Sequence, residues 1–345
     1  MSNKHLIITL DSVSKYYGSV RAVDNVSLSI GRGQMLVLLG SSGCGKTTAL
    51  RLIAGLERPD AGEIWLDGDL VAGNGHWTPP EQRRIGMVFQ DYALFPHLTS
   101  MENIAFPLHS QTAQQRRARV EDLLALVGME GMGDRYPHQL SGGQQQRIAL
   151  ARALAPHPSV VLLDEPFSNL DAFRRKQVRE EVRQILKAAD ATGIFVTHDQ
   201  EEAMGIADVI AVMQAGRIMQ MGDPAALYRH PELPEVADFL GEANRLHGIA
   251  DGLRVETALG TLPLARAAHG SVKALVRPES ILIERSDEPN AIVESVRFYG
   301  YYQMLTVRLS DGTRLDARVW AHVDVSPGDP VHVRVEGNIV TFAEG

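Results

Sequence analysis

The chain has a single cysteine, Cys44, in 345 residues. An internal disulfide is therefore excluded, and a reducing, cytosolic setting is the expectation. Long apolar runs are missing too. Stretches such as residues 35–39 and 160–163 fall far short of the roughly 20 residues that span a bilayer as a helix, so no transmembrane segment is expected. Nor is there an excess of positive charge. The 34 Lys and Arg against 42 Asp and Glu give a formal net charge of -8, and residues 243–345 hold 11 basic against 13 acidic side chains. Nucleic acid is disfavoured as the main partner. The first residues, Met1-Ser2-Asn3-Lys4-His5, lack a signal-peptide pattern, and low-complexity tracts are absent. What remains, 44% hydrophobic and 22% charged, is a globular composition long enough for two domains.

Against that background one stretch stands out: Gly40-Ser41-Ser42-Gly43-Cys44-Gly45-Lys46-Thr47, between the apolar run at 35–39 and a helix-like run beginning at Thr48. It fits the phosphate-binding loop G-x-x-x-x-G-K-[ST] in its strand-loop-helix setting. Backbone N–H groups of such a loop and the positive end of the following helix form a nest for a triphosphate, and glycine lets the backbone approach the phosphates. Lys46 reaches the β/γ-phosphates and the Thr47 hydroxyl is a Mg²⁺ ligand. Cys44 lies inside the loop, where the helix N-terminus and Lys46 are expected to lower its pKa.

A second anion site is suggested by Ser141-Gly142-Gly143-Gln144 at the start of a helix-like run, on the same amide-and-dipole argument. The apolar strand at 160–163 delivers Asp164 and Glu165 at its carboxyl end, where Asp164 can hold Mg²⁺ and Glu165 can polarise a water. Residues 194–197 end in the same way on His198. Gln90 follows the run at 85–89; its amide oxygen either reaches a metal or its water, or simply ends a strand. Tyr17 is either a stacking platform for a base or an ordinary half-buried aromatic. Strands are expected at 6–13 and 26–30 with a turn over 15–18, a hairpin about Asp67-Gly68, and a helix over 110–127 whose arginines are solvated. From about Leu246 the pattern becomes short strands with turns at Asp311-Gly312 and Gly337-Asn338, an all-β unit resembling a small barrel, with a boundary in residues 231–245.

The ordered set Tyr17, residues 40–47, Gln90, Leu140 to Gln144, Val160 to Glu165, Ser168-Asn169-Leu170-Asp171 and His198 resembles the ATP-binding subunit of an ABC importer. The β tail resembles the OB-like TOBE domain of the maltose, sulfate, polyamine and ferric-iron importer ATPases. The resemblance implies an α/β P-loop NTPase (RecA-like) domain over 1–240, with a helical subdomain at about 91–155, and an all-β OB-like domain over 243–345 that regulates or dimerises. It further implies that Tyr17 stacks on adenine, that residues 40–47 with Thr48 bind ATP, that Thr47, Gln90 and Asp164 hold Mg²⁺, and that Gln90 senses the γ-phosphate. Glu165 is then the general base, His198 the switch histidine, and Asp171 a member of the nucleotide site. In the family, Ser141, Gly142, Gly143 and Gln144 of one subunit cover the nucleotide held by the other. The implied assembly is a head-to-tail homodimer, peripheral on the cytoplasmic face of the inner membrane, with two permease subunits contacted near Gln90 and residues 93–103, and indirectly a solute-binding protein. Asn169 departs from the alanine of many relatives. Wording around residues 79–106, 167–171 and 239–246 leans to ferric iron as the solute, with polyamine, sulfate or phosphonate behind.

Two other classes compete. A soluble ABC ATPase acting on chromosomes or ribosomes usually carries a long coiled coil between its nucleotide motifs or two cassettes in one chain; here Lys46 and Ser141 are 95 positions apart (141 minus 46) in one cassette. A P-loop kinase or GTPase is opposed by the second nest.

Overall fold

The alternation in the first residues produces two long strands, β1 (Leu6–Tyr17) and β2 (Val20–Gly31), paired antiparallel. The chain reverses at Gly18 and Ser19, later than the expected turn over 15–18, because Gly18 takes φ +60° and lets Tyr17 pair with Val20. With β4 (Ala61–Leu66), β5 (Asp69–Gly73) and β6 (His76–Trp77) they form one five-stranded sheet, ordered β2-β1-β4-β5-β6. The computed structural model describes residues 6–168 and 170–344, except the side chains of Ala172 and Phe173; Asn169 and the opening five residues lie outside them.

The second sheet is the one that carries chemistry. Its strands are β3 (Met35–Gly40), β7 (Ile85–Val88), β8 (Val160–Asp164), β9 (Thr192–Thr197), β10 (Val209–Gln214) and β11 (Arg217–Gly222), in the order β11-β10-β3-β9-β8-β7. All neighbouring pairs are parallel except β10 with β11. Every residue of β3 and β9 is buried, as expected when helices cover both faces of a parallel sheet. The helices of this part of the chain are α1 (Lys46–Ala54), α2 (Ser100–Ala105), α3 (Ala113–Leu126), α4 (Gly142–Leu154), α5 (Ala172–Ala188) and α6 (Gln200–Ile206), of which α1, α4, α5 and α6 pack on the sheet. The segment between β7 and β8 holds α2, α3 and α4. No helix among the described residues is long and apolar enough to cross a membrane.

By internal contacts the chain divides into Met1–Ala225 and Ala226–Gly345. Residues 226–242, placed by the sequence reading at the end of the first domain or in a boundary, therefore cluster with the second unit. After α7 (Pro224–Arg229) and α8 (Pro234–Phe239) come β12 (Asn244–Thr257), β13 (Gly260–Val276), β14 (Ile281–Glu284), β15 (Ala291–Phe298), β16 (Tyr302–Leu309), β17 (Arg314–Trp320), β18 (Pro330–Val335) and β19 (Val340–Ala343). Two sheets, β12-β13-β19 and β14-β18-β15-β16-β17, share one core that includes Leu246, Val276, Leu305 and Val333. Arg277 anchors residues 226–242 to this core by donating to the carbonyls of Ala237, Gly241 and Glu242 at 3.1, 2.8 and 3.1 Å.

One buried cation ties the phosphate-loop helix to the strands around it. Arg83, 3% exposed, donates to the carbonyl oxygens of Leu52 and Ile53 at the end of α1, and to those of Val71 and Thr78. The last carbonyls of a helix lack intrahelical donors, and a guanidinium there also opposes the negative end of the dipole. Burial pushes its pKa down to about 10, so it remains charged at neutral pH. Gly55, with φ +80°, leaves room for it: a Cβ there would sit 2.4 Å from Arg83 Nε. Arg83→Ala removes four hydrogen bonds, leaving the Leu52 and Val71 carbonyls only their backbone donors Gly55 N and Thr78 N, and is expected to lower stability by about 3 kcal/mol, read from the urea midpoint; an unchanged midpoint would refute the capping role.

Candidate functional site

The loop between β3 and α1 is shaped by three glycines whose Cβ positions are blocked or whose backbone is left-handed. A Cβ on Gly40 would fall 2.4 Å from the Met213 carbonyl oxygen. Gly43 has φ +80°, and Gly45, with φ +106°, would place a Cβ 2.0 Å from the Ala22 carbonyl oxygen. Only glycine fits positions 40 and 45. Gly45 is the N-cap of α1 with no side-chain cap, so the first amides of α1 face outward as a nest for an anion. Lys46, 4% exposed, lies across the loop and donates to the carbonyls of Gly40 and Ser41 at 2.7 and 2.9 Å.

The carboxyl ends of the parallel strands deliver the acids. Thr47 Oγ1 donates to Asp164 Oδ1 at 3.0 Å, joining the first turn of α1 to the end of β8. Burial raises the Asp164 pKa, and the Thr47 hydroxyl opposes that shift. A half-buried carboxylate held against a hydroxyl suits a hard divalent cation, whose charge would offset the desolvation. Glu165 follows with φ +43°, a rare backbone state for a non-glycine residue, fixed by its N–H on the Val196 carbonyl at 3.1 Å and by Ser168 Oγ on its own carbonyl at 2.9 Å. That turn brings Glu165 Oε2 to 3.4 Å from His198 Nδ1 at the end of β9. Gln90 is exposed just beyond β7, the strand parallel to β8, so it stands on the same edge of the sheet.

Tyr17, 46% exposed at the end of β1, lies beside Thr48 and Glu57. Its pKa is raised by burial first and by Glu57 second. Its ring thus flanks the first turn of α1, where a base attached to a bound triphosphate would meet it. Cys44 differs from the expectation of a reactive thiol: it is 4% exposed and belongs to the hydrophobic core beneath the loop. The thiol is in the core because its neighbouring glycines turn the amides, not the side chain, outward. Ser41 and Ser42 are exposed.

The second nest is built as expected but stands apart. Ser141 caps α4, accepting from Gln144 N at 3.4 Å while Gln144 Oε1 accepts from Ser141 N at 2.9 Å. Ser141 and Gly142 are exposed, and no hydrogen bond or ion pair among the described residues joins 141–144 to 40–47. A Cβ on Gly142 would instead meet Leu170 at 3.5 Å. Asp171 spends one oxygen capping α5, accepting from Arg174 N at 3.0 Å.

Sequence reasoning missed the groups that hold His198. Thr197 Oγ1 donates to the buried Glu202 at 2.5 Å, and Arg175 pairs with Asp199 at 3.2 Å. The only sequence signal was a Glu three residues after Asp199, a helix-start pattern with no catalytic flavour. Beside Gln90 lies a cleft of about 380 Å³ lined by Phe89, Ala93, Phe95, Phe106 and Arg152 among others. Arg152 is held there by the carbonyls of Tyr92 and Ala93 at 2.9 and 2.7 Å.

Comparison with known proteins agrees with this geometry. The ABC transporter family model matches residues 23–168 and the TOBE domain model residues 274–340. The sulfate/thiosulfate import ATP-binding protein CysA of Caulobacter vibrioides is 45% identical over 317 residues, covering 90% of this chain and 92% of that protein. The Fe(3+) ions import ATP-binding protein FbpC 2 of Haemophilus influenzae is 39% identical over 347 residues, 96% of each. Among solved structures, a dimeric post-hydrolysis state of the ATP-binding cassette MJ0796 bound to ADP and Pi superposes with TM-score 0.55 at 32% identity, covering 63% of this chain and 99% of that one.

Because the folded-state pKa of Asp164 is raised, its neutral form is favoured in the fold. Its contribution to stability is complete below the ordinary carboxylate value and is lost as pH rises through the raised one. In nucleotide-free protein, Asp164→Asn is therefore expected to gain stability over the parent as pH climbs from the ordinary Asp range. Urea midpoints of both proteins at pH 5 and pH 8 check this; a difference that does not grow with pH would refute it.

Proposed function

The chain belongs to the ABC transporter ATP-binding family, with a TOBE domain at its C-terminal end, and from that premise we propose that it energises solute import by binding and hydrolysing ATP. The observation that carries the proposal is the single edge of the parallel sheet on which Lys46, Thr47, Asp164, Glu165 and His198 converge. In this reading the amides of residues 40–47 and Lys46 hold the phosphates, Thr48 continues that contact, and Tyr17 stacks on adenine. Thr47, Asp164 and Gln90 would hold Mg²⁺, which when bound neutralises phosphate charge. Glu165 takes the proton of the attacking water, and His198, 3.4 Å away, fixes its carboxylate and the γ-phosphate side of the site.

Ser141, Gly142, Gly143 and Gln144 lack a phosphate loop to face within their own chain. Two copies arranged head to tail supply one, which is the basis for a homodimer. Asp171 lies in the same interface. The cleft beside Gln90 offers apolar walls, with Phe106 56% and Phe89 38% exposed, and receives a helix of one permease subunit, so that the two copies of the chain engage two permease subunits. The assembly is then peripheral on the cytoplasmic face of the membrane, with a solute-binding protein on the far side. The solute proposed is ferric iron, supported by relatives named for Fe(3+) that align over 96–98% of this chain at 39–43% identity. Sulfate or thiosulfate is the second reading, supported by the 45% identity to the Caulobacter vibrioides protein. Loss of ferric-iron uptake, with sulfate uptake intact, in cells lacking this chain is the expected result, and the reverse pattern selects the second reading.

Glu165→Gln is expected to bind ATP like the parent, to lose at least about 100-fold in hydrolysis, and to accumulate as a dimer in ATP; Lys46→Ala loses binding itself. Turnover by Glu165→Gln at the parental rate would remove the general-base assignment. Phe106→Asp is expected to keep the ATPase activity of the isolated chain while failing to co-purify with permease; retained co-purification would place the permease elsewhere.

A further inference from the structure

Arg175, in the first turn of α5, joins two loops that the proposed reaction uses for different purposes. Its Nη2 donates to the Leu170 carbonyl at 3.2 Å and its Nη1 to Asp199 Oδ2 at 3.2 Å, while its Nε lies 3.6 Å from Glu202 Oε1. That Nε is buried and makes no hydrogen bond. Both carboxylates belong to the segment that carries His198. Asp199 uses its other oxygen, Oδ1, to cap α6 by accepting from Glu202 N at 3.0 Å. Thr197 Oγ1 accepts from Asp199 N at 3.0 Å and donates to Glu202 Oε2 at 2.5 Å. The residues on either side of His198 are thus locked into one network in which Arg175 is the guanidinium that bridges both carboxylates, while Arg179 donates to the Glu201 carbonyl at 2.7 Å and adds its charge to the field at Glu202. Glu202 is 5% exposed, so removing Arg175 strands a buried carboxylate.

At its other end the network adjoins the second nest. A Cβ added to Gly142 would lie 3.5 Å from the Leu170 side chain, and one added to Gly143 would lie 3.4 Å from Val178, one turn past Arg175 on α5, so little more than the space of a methyl group separates 141–144 from Leu170 and α5. The Leu170 carbonyl is in turn bonded to Arg175, and Arg175 to Asp199 beside His198.

We propose that Arg175 is a positioning residue which sets His198 against Glu165 according to whether residues 141–144 of the same chain have closed on a partner's nucleotide. One chain serves two composite sites, and Arg175 makes the hydrolytic residues of one depend on occupancy of the other. The inference rests on the proposed roles of Glu165, His198 and the head-to-tail dimer.

The test uses the full chain, with steady-state ATP hydrolysis and binding of a fluorescent ATP analogue measured side by side. Arg175→Ala is expected to lower kcat about tenfold, to leave analogue affinity unchanged, and to reduce the Hill coefficient for ATP towards one. Arg175→Lys, which reaches one carboxylate but not the fork, falls between. A combined Arg175→Ala and Asp199→Asn variant is expected to lose no more than Arg175→Ala alone. Parental kcat and cooperativity in Arg175→Ala would overturn the proposal, as would a loss of affinity equal to the loss in kcat. Should Arg175→Ala fail to fold, Asp199→Asn, which keeps the α6 cap through Oδ1, is expected to show the same split, and parental behaviour there overturns the proposal equally. An inactive Glu165→Gln beside a parental Arg175→Ala defeats only this inference; an active Glu165→Gln defeats the reading beneath it.

Discussion

The phosphate loop is clamped from outside by backbone contacts and bridged from within by Lys46, and the rest of the site depends on that. Gly45 packs so closely on the Ala22 carbonyl that no side chain fits. On the neighbouring residue the Cys44 carbonyl accepts from Gly216 N at 2.9 Å, and the Gly216 carbonyl accepts from Asp24 N at 2.9 Å. The loop is thereby clamped between the start of β2 and the turn joining β10 to β11. Arg217 reinforces the clamp by pairing with Asp24 at 2.7 Å, and this pairing is the main cause of the lowered Asp24 pKa. Backbone-to-backbone contacts of this kind have few ways to relax. The amides that remain keep a fixed direction, which is what preorganised binding of phosphate requires.

Around that fixed loop the acids sit in strained or desolvated states. Asp164 is destabilised by burial and Glu165 occupies a left-handed backbone position. Neither helps the fold. Both place a carboxylate where the proposed reaction needs a cation and a water handled, and the fold tolerates them because the surrounding sheet, with β3 and β9 buried throughout, over-determines the turn.

Much of this was legible in the sequence where chemistry restricts residue type. Gly40, Gly45 and Lys46 announce themselves because only glycine and a long cation satisfy the loop, and Asp164 and Glu165 because two acids after so apolar a strand are otherwise costly. Arg83 and Arg175 were not legible. Each is an arginine next to another arginine, and only tertiary structure reveals that Arg83 faces four carbonyls and Arg175 two carboxylates. The expectation of short strands from about Leu246 missed the long hairpin of β12 and β13. Its buried positions in β12, Leu246, Ala250 and Val255, are spaced by four and five instead of two, with Gly248 and Gly252 between them, so the period of a half-buried strand is not written there. Cys44 was found but misjudged, since spacing gives a residue's place in a loop and not the side from which its side chain leaves.

What the geometry adds to the motif list is direction. The start of α1 has no side-chain cap, and the start of α4, capped by Ser141, is exposed at Ser141 and Gly142, so each of the two segments 40–47 and 141–144 presents a helix N-terminus outward. A triphosphate clamped between two such surfaces is stabilised by both, so its binding favours association of the two copies that own them. Hydrolysis splits the γ-phosphate from the diphosphate and so severs the one ligand that spanned both surfaces. In the proposed assembly the free energy of association is then conditional on the state of the nucleotide, and the apolar cleft beside Gln90, on the same sheet edge as Asp164, is where that condition would reach a neighbouring helix.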